Sequence, residues 1–464
     1  MAFRIFRREG TGLGRAILRR GRADGSEAAS GRRAVGRALL GAAGLATLVL
    51  GIGGPAAAQA QTTGSLFGIP APAQSGMHPA MTPAAIAQAQ ANFGNCIAAM
   101  WPLAQSKGVS RRTFERYTSA LEPDMKIMDF LDSQPEFSKP IGAYVQMLVT
   151  DFRVKKGREI LERYKPVFDR VEKAYGVDRY AVAAIWGIES TYGDPKGIGS
   201  RSVLTSTATL ACIGRRQDYF RDEFIATLQI LDKGDVRADH LVGSWAGAFG
   251  PTQFMPTSFQ RFAVDFDGDG KRDVVDSIPD IIASTANNLK LDGWSLGRPW
   301  GYEVVLPENF DYRYVNRANK QTLGQWKALG VGRPGGKAFP RASDPAYLLL
   351  PAGAGGPAFL MMGNFDAILK YNPADAYALA IGHLADRLRG GGGFSHAWPK
   401  EERGLSKTER QEIQSRLAQR GYDIGNVDGI LGQKTRLAVQ DFQVKTGMLP
   451  DGYPDLTVLQ QLRR

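Results

Sequence analysis

Four consecutive glycines, Gly390 to Gly393, constrain this chain more than any other stretch. A helix cannot be carried through them, because each glycine costs about 1 kcal/mol of helix stability relative to alanine. They are followed by Trp398-Pro399 and a run of charges, so residues 390–404 read as a linker. The chain is thereby divided into a long region before the linker and a tail of about 60 residues, 405–464. With 464 residues, 43% hydrophobic and 22% charged, the whole has an ordinary globular composition with room for more than one core.

A second break lies near the start. The first 40 residues hold ten Arg against three acids, and an apolar run from Ala38 to Ile52 follows, then Gly-Gly-Pro-Ala-Ala-Ala-Gln-Ala-Gln. Residues 1–60 read as a secretory signal, with small residues at Ala56, Ala58 and Ala60 for cleavage. The apolar run is shorter than the ~20 residues that span a bilayer, so no stable membrane anchor is expected after cleavage, and the destination is the periplasm. The leader supplies seven of the twelve net positive charges, so the apparent basicity of the chain says little about nucleic acid. Residues 61–83, rich in Pro, Ala, Gln, Gly and Ser, read as a linker. In an oxidising compartment the two cysteines, Cys96 and Cys212, can form one disulfide, with two buried thiols as the alternative.

Residues 84–389 form the main region. Helical periodicity runs from Asp151 to Tyr175 and again from Asp375 to Leu388, while Trp300 to Leu360 has the Gly, Pro and β-branched content of short strands or long loops. The fold class expected is mainly α (α+β). In the tail, Asp428-Gly429 followed by Thr435 is echoed by Asp451-Gly452 followed by Thr457, which predicts a repeated unit of turn, Thr cap and short helix.

The segment from Asp178 to Gly193 reads as a helix with Asp178 as N-cap and a buried stripe of Ala181, Ala184, Ile185 and Ile188. Glu189 follows that stripe in the last turn, where apolar neighbours and the helix macrodipole both disfavour a carboxylate. Both effects raise its pKa toward the range of a general acid, whereas an ordinary solvated Glu at a fraying end is the structural alternative. Between Gly243 and Phe259, glycines alternate with aromatics and uncharged donors, a mixture that suits a sugar site or, equally, a turn packed on a core. The histidines, at 78, 240, 383 and 396, are scattered, and no Gly-rich phosphate loop appears, so neither metallopeptidase nor nucleotide chemistry is indicated.

Three motifs in order, Ala-Ile-Trp-Gly-Ile-Glu-Ser-Thr-Tyr-Gly, Gly-Ser-Trp-Ala-Gly-Ala-Phe-Gly-Pro-Thr-Gln-Phe-Met-Pro, and Tyr371-Asn372-Pro with Tyr377-Ala-Leu-Ala, resemble the membrane-bound lytic transglycosylase B family (glycoside hydrolase family 103) over some 300 residues. The resemblance implies a lysozyme-like catalytic domain with Glu189 as acid and base. It also implies that Ser244 contacts that Glu, that Gln253, Phe254 and Met255 line sugar subsites, and that Tyr371, Asn372 and Tyr377 add aromatic and amide contacts; Tyr144 matches a further cleft tyrosine. Asn287-Asn288 departs from the Asn-Tyr pair usual in the family, which removes one aromatic wall, and Pro251-Thr252-Gln253 is a variant of its second motif.

Asp265, Asp267, Asp269, Asp273 and Asp276 stand at positions 1, 3, 5, 9 and 12 of a twelve-residue loop, with Gly270 at 6 and the carbonyl of Lys271 at 7. That is calcium-loop spacing, and related enzymes carry a similar loop, which implies a structural Ca²⁺ and no cofactor for catalysis. The tail resembles the three-helix peptidoglycan-binding module in Ile413-Gln414, Val427-Asp428-Gly429, Phe442-Gln443 and Asp451-Gly452.

The expected partner is therefore the peptidoglycan glycan strand. The expected reaction is cleavage of the MurNAc-GlcNAc β-1,4 bond with closure of a 1,6-anhydro ring. Ordinary glycosidases need two carboxylates, and the motifs offer one convincing candidate, Asp194 reading as part of the exit turn. The rivals are a hydrolytic lysozyme and a non-catalytic wall-binding scaffold.

Overall fold

The computed structural model describes residues 79–131, 139–399 and 403–464; the leader and most of the first linker lie outside them. Among the described residues no helix is long and apolar enough to cross a membrane. The centre of the main region is the Arg179–Ser190 helix, buried from Ala181 to Ser190 on every face and not along one stripe. The Asp151–Arg163, Lys165–Tyr175, Ile278–Leu291 and Asp375–Arg389 helices surround it. The periodic stretch from Asp151 to Tyr175 is two helices and not one. Pro166, lacking an N–H, sits in the first turn of the second helix and breaks the ladder at Tyr164.

A second core joins the N-terminal helices to the Val203–Cys212 and Gln217–Lys233 helices. Cys96 and Cys212 are disulfide-bonded across it, closing a separation of 116 residues. The segment from Trp300 to Leu360 supplies a four-stranded antiparallel sheet in the order Gly301–Val304, Ala358–Met361, Pro345–Leu349, Gln321–Thr322. The Ala358–Met361 strand is central and buried at every position, as its uninterrupted apolar sequence requires.

In the tail, the Lys407–Gln419, Gln433–Lys445 and Leu456–Arg463 helices enclose their own core. The repeated unit is real, but its caps differ from the expected Thr residues. Gly432 and Asp455 open the second and third helices, and Thr435 is buried. Asp455 takes the Val458 N–H at 2.7 Å, an N-cap that leaves Thr457 inside the first turn. What repeats is a glutamine clamp on each turn: Gln414 holds Gly429 N and Ile430 O, and Gln443 holds Gly452 N and Asp451 Oδ1.

Candidate active site

Glu189 is 1% exposed and stands one residue before the end of its helix. Tyr377, wholly buried on the Asp375–Arg389 helix, donates its phenol proton to Glu189 Oε1 at 2.7 Å. The Tyr377 ring stacks on Tyr371 with centroids 6.4 Å apart and planes 10° apart. Tyr371 in turn donates to the backbone carbonyl of Thr252 at 2.6 Å and meets Phe254 edge-on. The first and third motifs are thus tied to the second through two tyrosines. A hydrogen bond to a carboxylate favours its ionised form, so Tyr377 opposes the burial that disfavours it.

The turn after the acid carries strain. Thr191 and Tyr192 have φ of 54° and 62°, the left-handed region that costs a non-glycine residue about 1–3 kcal/mol, and Gln253 has φ of 53°. Ser190 links the two strained turns by donating to Pro251 O at 2.6 Å and accepting from Gly193 N at 2.8 Å. Gln253 Nε2 donates to Ile198 O and Gly250 O, both at 3.1 Å, while its Oε1 is buried without a donor. The positive φ and the two donor bonds thus hold an amide oxygen buried without a partner, an arrangement that stability alone does not require.

Ser244 is buried with Oγ accepting from Ala248 N at 3.0 Å, closing the Gly-rich turn. Phe254 and Met255 are buried in two different cores, so they support the turn from beneath. Asn372 is fully buried, its Oδ1 accepting from Ala374 N. Tyr144 lies in the same core as the Glu189 helix. Asp194 caps a short helix by accepting from Lys196 N. Asn287 donates to Phe262 O.

Sequence reasoning missed the cations behind the acid. Arg153 Nε donates to Gly187 O at 2.9 Å and Nη2 to Thr191 Oγ1 at 3.1 Å, and Nη1 bonds Leu148 O. Lys156 Nζ reaches Thr191 O at 2.8 Å. The positive charge that suits a helix C-terminus is present, but it comes from a helix some 30 residues earlier in the chain.

In the acidic loop, carboxylate oxygens of Asp265, Asp267 and Asp280 lie within 4.8 Å of one another. Asp280, in the first turn of the Ile278–Leu291 helix, is wholly buried and is the other residue that sequence missed. Its carboxyl is pushed up to about 6, chiefly by burial. Asp276, the expected twelfth ligand, is drawn away to His240 Nδ1 at 2.5 Å. Asp273 Oδ1 accepts from Val275 N and Asp276 N, and Asp269 Oδ1 from Lys271 N. An all-oxygen set around a buried carboxylate fits a hard cation.

The family model described as Transglycosylase SLT domain matches residues 92–386, and that of the Putative peptidoglycan binding domain matches 406–462. Membrane-bound lytic murein transglycosylase B of Escherichia coli (strain K12) is 30% identical over 260 residues, 54% of this chain and 69% of that protein. The crystal structure of SltB3 from Pseudomonas aeruginosa in complex with NAG-anhNAM-pentapeptide is similar with a TM-score of 0.76 at 45% identity, covering 80% of this chain and 99% of that one. Escherichia coli Slt35 in complex with calcium gives a TM-score of 0.53 at 27% identity, covering 64% of this chain and 92% of that one. With the matched region spanning well over half its length and containing the buried Glu189, this chain belongs to the SLT-domain transglycosylases and is a peptidoglycan lytic transglycosylase.

Proposed function

We propose that Glu189 performs both proton transfers of a non-hydrolytic cleavage of the MurNAc-GlcNAc bond in the periplasm. The observation that carries this is the buried carboxyl of Glu189, held by Tyr377 and joined through Tyr371 to the strained Gln253 turn. As an acid, Glu189 protonates the glycosidic oxygen and the bond to C1 breaks. As a base, the resulting carboxylate takes the proton of the muramic acid 6-hydroxyl, whose oxygen attacks C1 and closes the anhydro ring. The proton returns to Glu189, and water is not a reactant. One carboxyl suffices because the nucleophile is part of the substrate, unlike the two-carboxylate arrangement of ordinary glycosidases.

Tyr377 orients Oε1 through both steps. Ser244, Gln253, Tyr371, Asn372 and Tyr144 belong to the sugar-facing side, with Phe254 and Met255 as its floor. The acidic loop binds a structural Ca²⁺ through Asp265, Asp267 and Asp280, with Asp269, Asp273 and the Lys271 carbonyl as the further oxygen donors; Ca²⁺ there would neutralise the clustered carboxylates. The tail holds the enzyme on insoluble wall, and SltB3, solved with NAG-anhNAM-pentapeptide and with NAG-NAM-pentapeptide, supports glycan strands as substrate. The test is Glu189→Gln: released muropeptides, quantified by mass spectrometry from purified sacculi, fall to background while sacculus binding is retained. Wild-type turnover in that variant would refute the assignment.

A further inference from the structure

We infer that Arg153 is a positioning residue for the reaction, setting the protonation range of Glu189 from behind the helix that carries it. This rests on the reading of Glu189 as the acid and base.

The guanidinium grips both sides of the catalytic position, taking Gly187 O two residues before it and Thr191 Oγ1 two residues after it. Its third bond, to Leu148 O, fixes it to the preceding helix end. Gly187 O also accepts the Thr191 N–H at 3.0 Å, so one carbonyl at the negative end of the helix dipole is shared by the exit turn and the cation. Lys156 adds a second cation on Thr191 O. The turn so gripped is the strained one, and Tyr192 completes it. A side chain at either Gly157 or Gly187 would collide with the Tyr192 ring, so the three pack as a wedge between the two helices. The guanidinium is half-buried at the C-terminal end of the helix, where a cation favours the ionised carboxylate.

Other charged and titratable groups flank this helix, among them Tyr164 against Trp186, Asp169 on Arg179 and Tyr180 under Arg389. Tyr377 bonds Glu189 itself, Tyr371 stacks behind it, and Tyr144 and Tyr192 border Arg153. Asp194 caps the following turn. Asp178, Arg179 with Glu172, and Arg389 with Asp386 cluster at the far, N-terminal end, while Asp280 faces the acidic loop and Lys290 lies over Tyr175. At the end that carries the acid, Arg153 and Lys156 bond the exit turn itself, while Lys196 on the following short helix is exposed to solvent.

Because Glu189 must begin protonated, kcat/KM falls on the alkaline side as it ionises, and that limb reports its pKa. Removing the cation raises this pKa and moves the limb to higher pH. Arg153→Met should shift it upward with kcat lowered about ten-fold and KM nearly unchanged. Arg153→Lys keeps the charge but loses the fork, so kcat falls while the limb stays. Arg153→Gln, which removes the charge but keeps an amide donor, should give the same upward shift and serves if Arg153→Met does not fold. With Glu189→Gln inactive, an unmoved limb in folded Arg153→Met, or in Arg153→Gln should Arg153→Met not fold, overturns the inference. Activity retained by Glu189→Gln overturns instead the assignment on which it rests.

Discussion

Glu189 was legible in the sequence as an acid in the wrong place, at the negative end of an apolar helix, but its surroundings were not. Tyr377 lies 188 residues away and Arg153 lies 36 residues before it; no local periodicity reports either contact. Ser190, by contrast, is adjacent in the same motif, and a small hydroxyl just after the acid is a signal that reading for caps alone passes over. Tyr377→Phe tests the hydrogen bond on Glu189. A bond to a charged group contributes about 1.5–3 kcal/mol, so kcat should fall by about ten- to a hundred-fold with the melting temperature little changed. Steady-state turnover of soluble glycan fragments alongside thermal melts separates the two. Unaltered kcat would mean that Tyr377 only packs.

At the scale of elements, the acidic loop shows what spacing conveys and what it omits. The regular Asp positions announced the loop, yet Asp276 pairs with His240 and the buried Asp280 completes the cluster from the next helix. Asp280 was hidden because an acid in a helix's first turn is ordinary dipole chemistry. Chelation should lower the melting temperature and added Ca²⁺ restore it, and Asp280→Asn should abolish that response more fully than Asp276→Asn. A larger loss with Asp276→Asn would return the loop to its regular twelve-residue pattern. The disulfide makes a second test at this scale. Closing 116 residues is worth about 5 kcal/mol by loop entropy, so Cys96→Ser should melt markedly lower while keeping activity in the folded state. Residues 390–404 read as a linker, but the chain after the glycines returns to the catalytic domain. Phe394 stacks on His383 at 4.0 Å, Ser395 N and His396 N each donate to Glu303 at 2.8 Å, and Trp398 covers Gly142. Composition exposed the break in the helix and could not show where the aromatics land. Burial lowers His383 to about 4, below its unfolded value, so its unfolded form binds the proton and stability falls as pH drops from about 6.5 toward 4. His383→Gln should flatten that part of the melting-versus-pH curve; an identical slope would assign it elsewhere.

Across the whole molecule, the family motifs made the mainly helical architecture readable, while the path of the sheet and the seating of the tail depend on contacts between distant segments. The tail touches the catalytic region through polar groups: Ala354 N donates to Asp451 at 3.0 Å, Gln440 donates to Tyr312 O at 2.8 Å, and Gln433 donates to Asn316 at 3.1 Å. With polar bonds of this kind between them, removing residues 405–464 should weaken binding to insoluble sacculi and spare turnover of soluble fragments, provided Phe394 and Trp398 are kept. Sedimentation with sacculi and a soluble-fragment assay check this together; loss of soluble turnover in a folded truncation would make the tail part of the active site. The central claim is that one carboxyl works because the substrate's own hydroxyl replaces water. Wild-type enzyme digesting sacculi in ¹⁸O-labelled water, with products weighed by mass spectrometry, tests it directly. The account predicts unlabelled 1,6-anhydro ends, each one water lighter than a reducing end, and labelled reducing ends as the main product would contradict it.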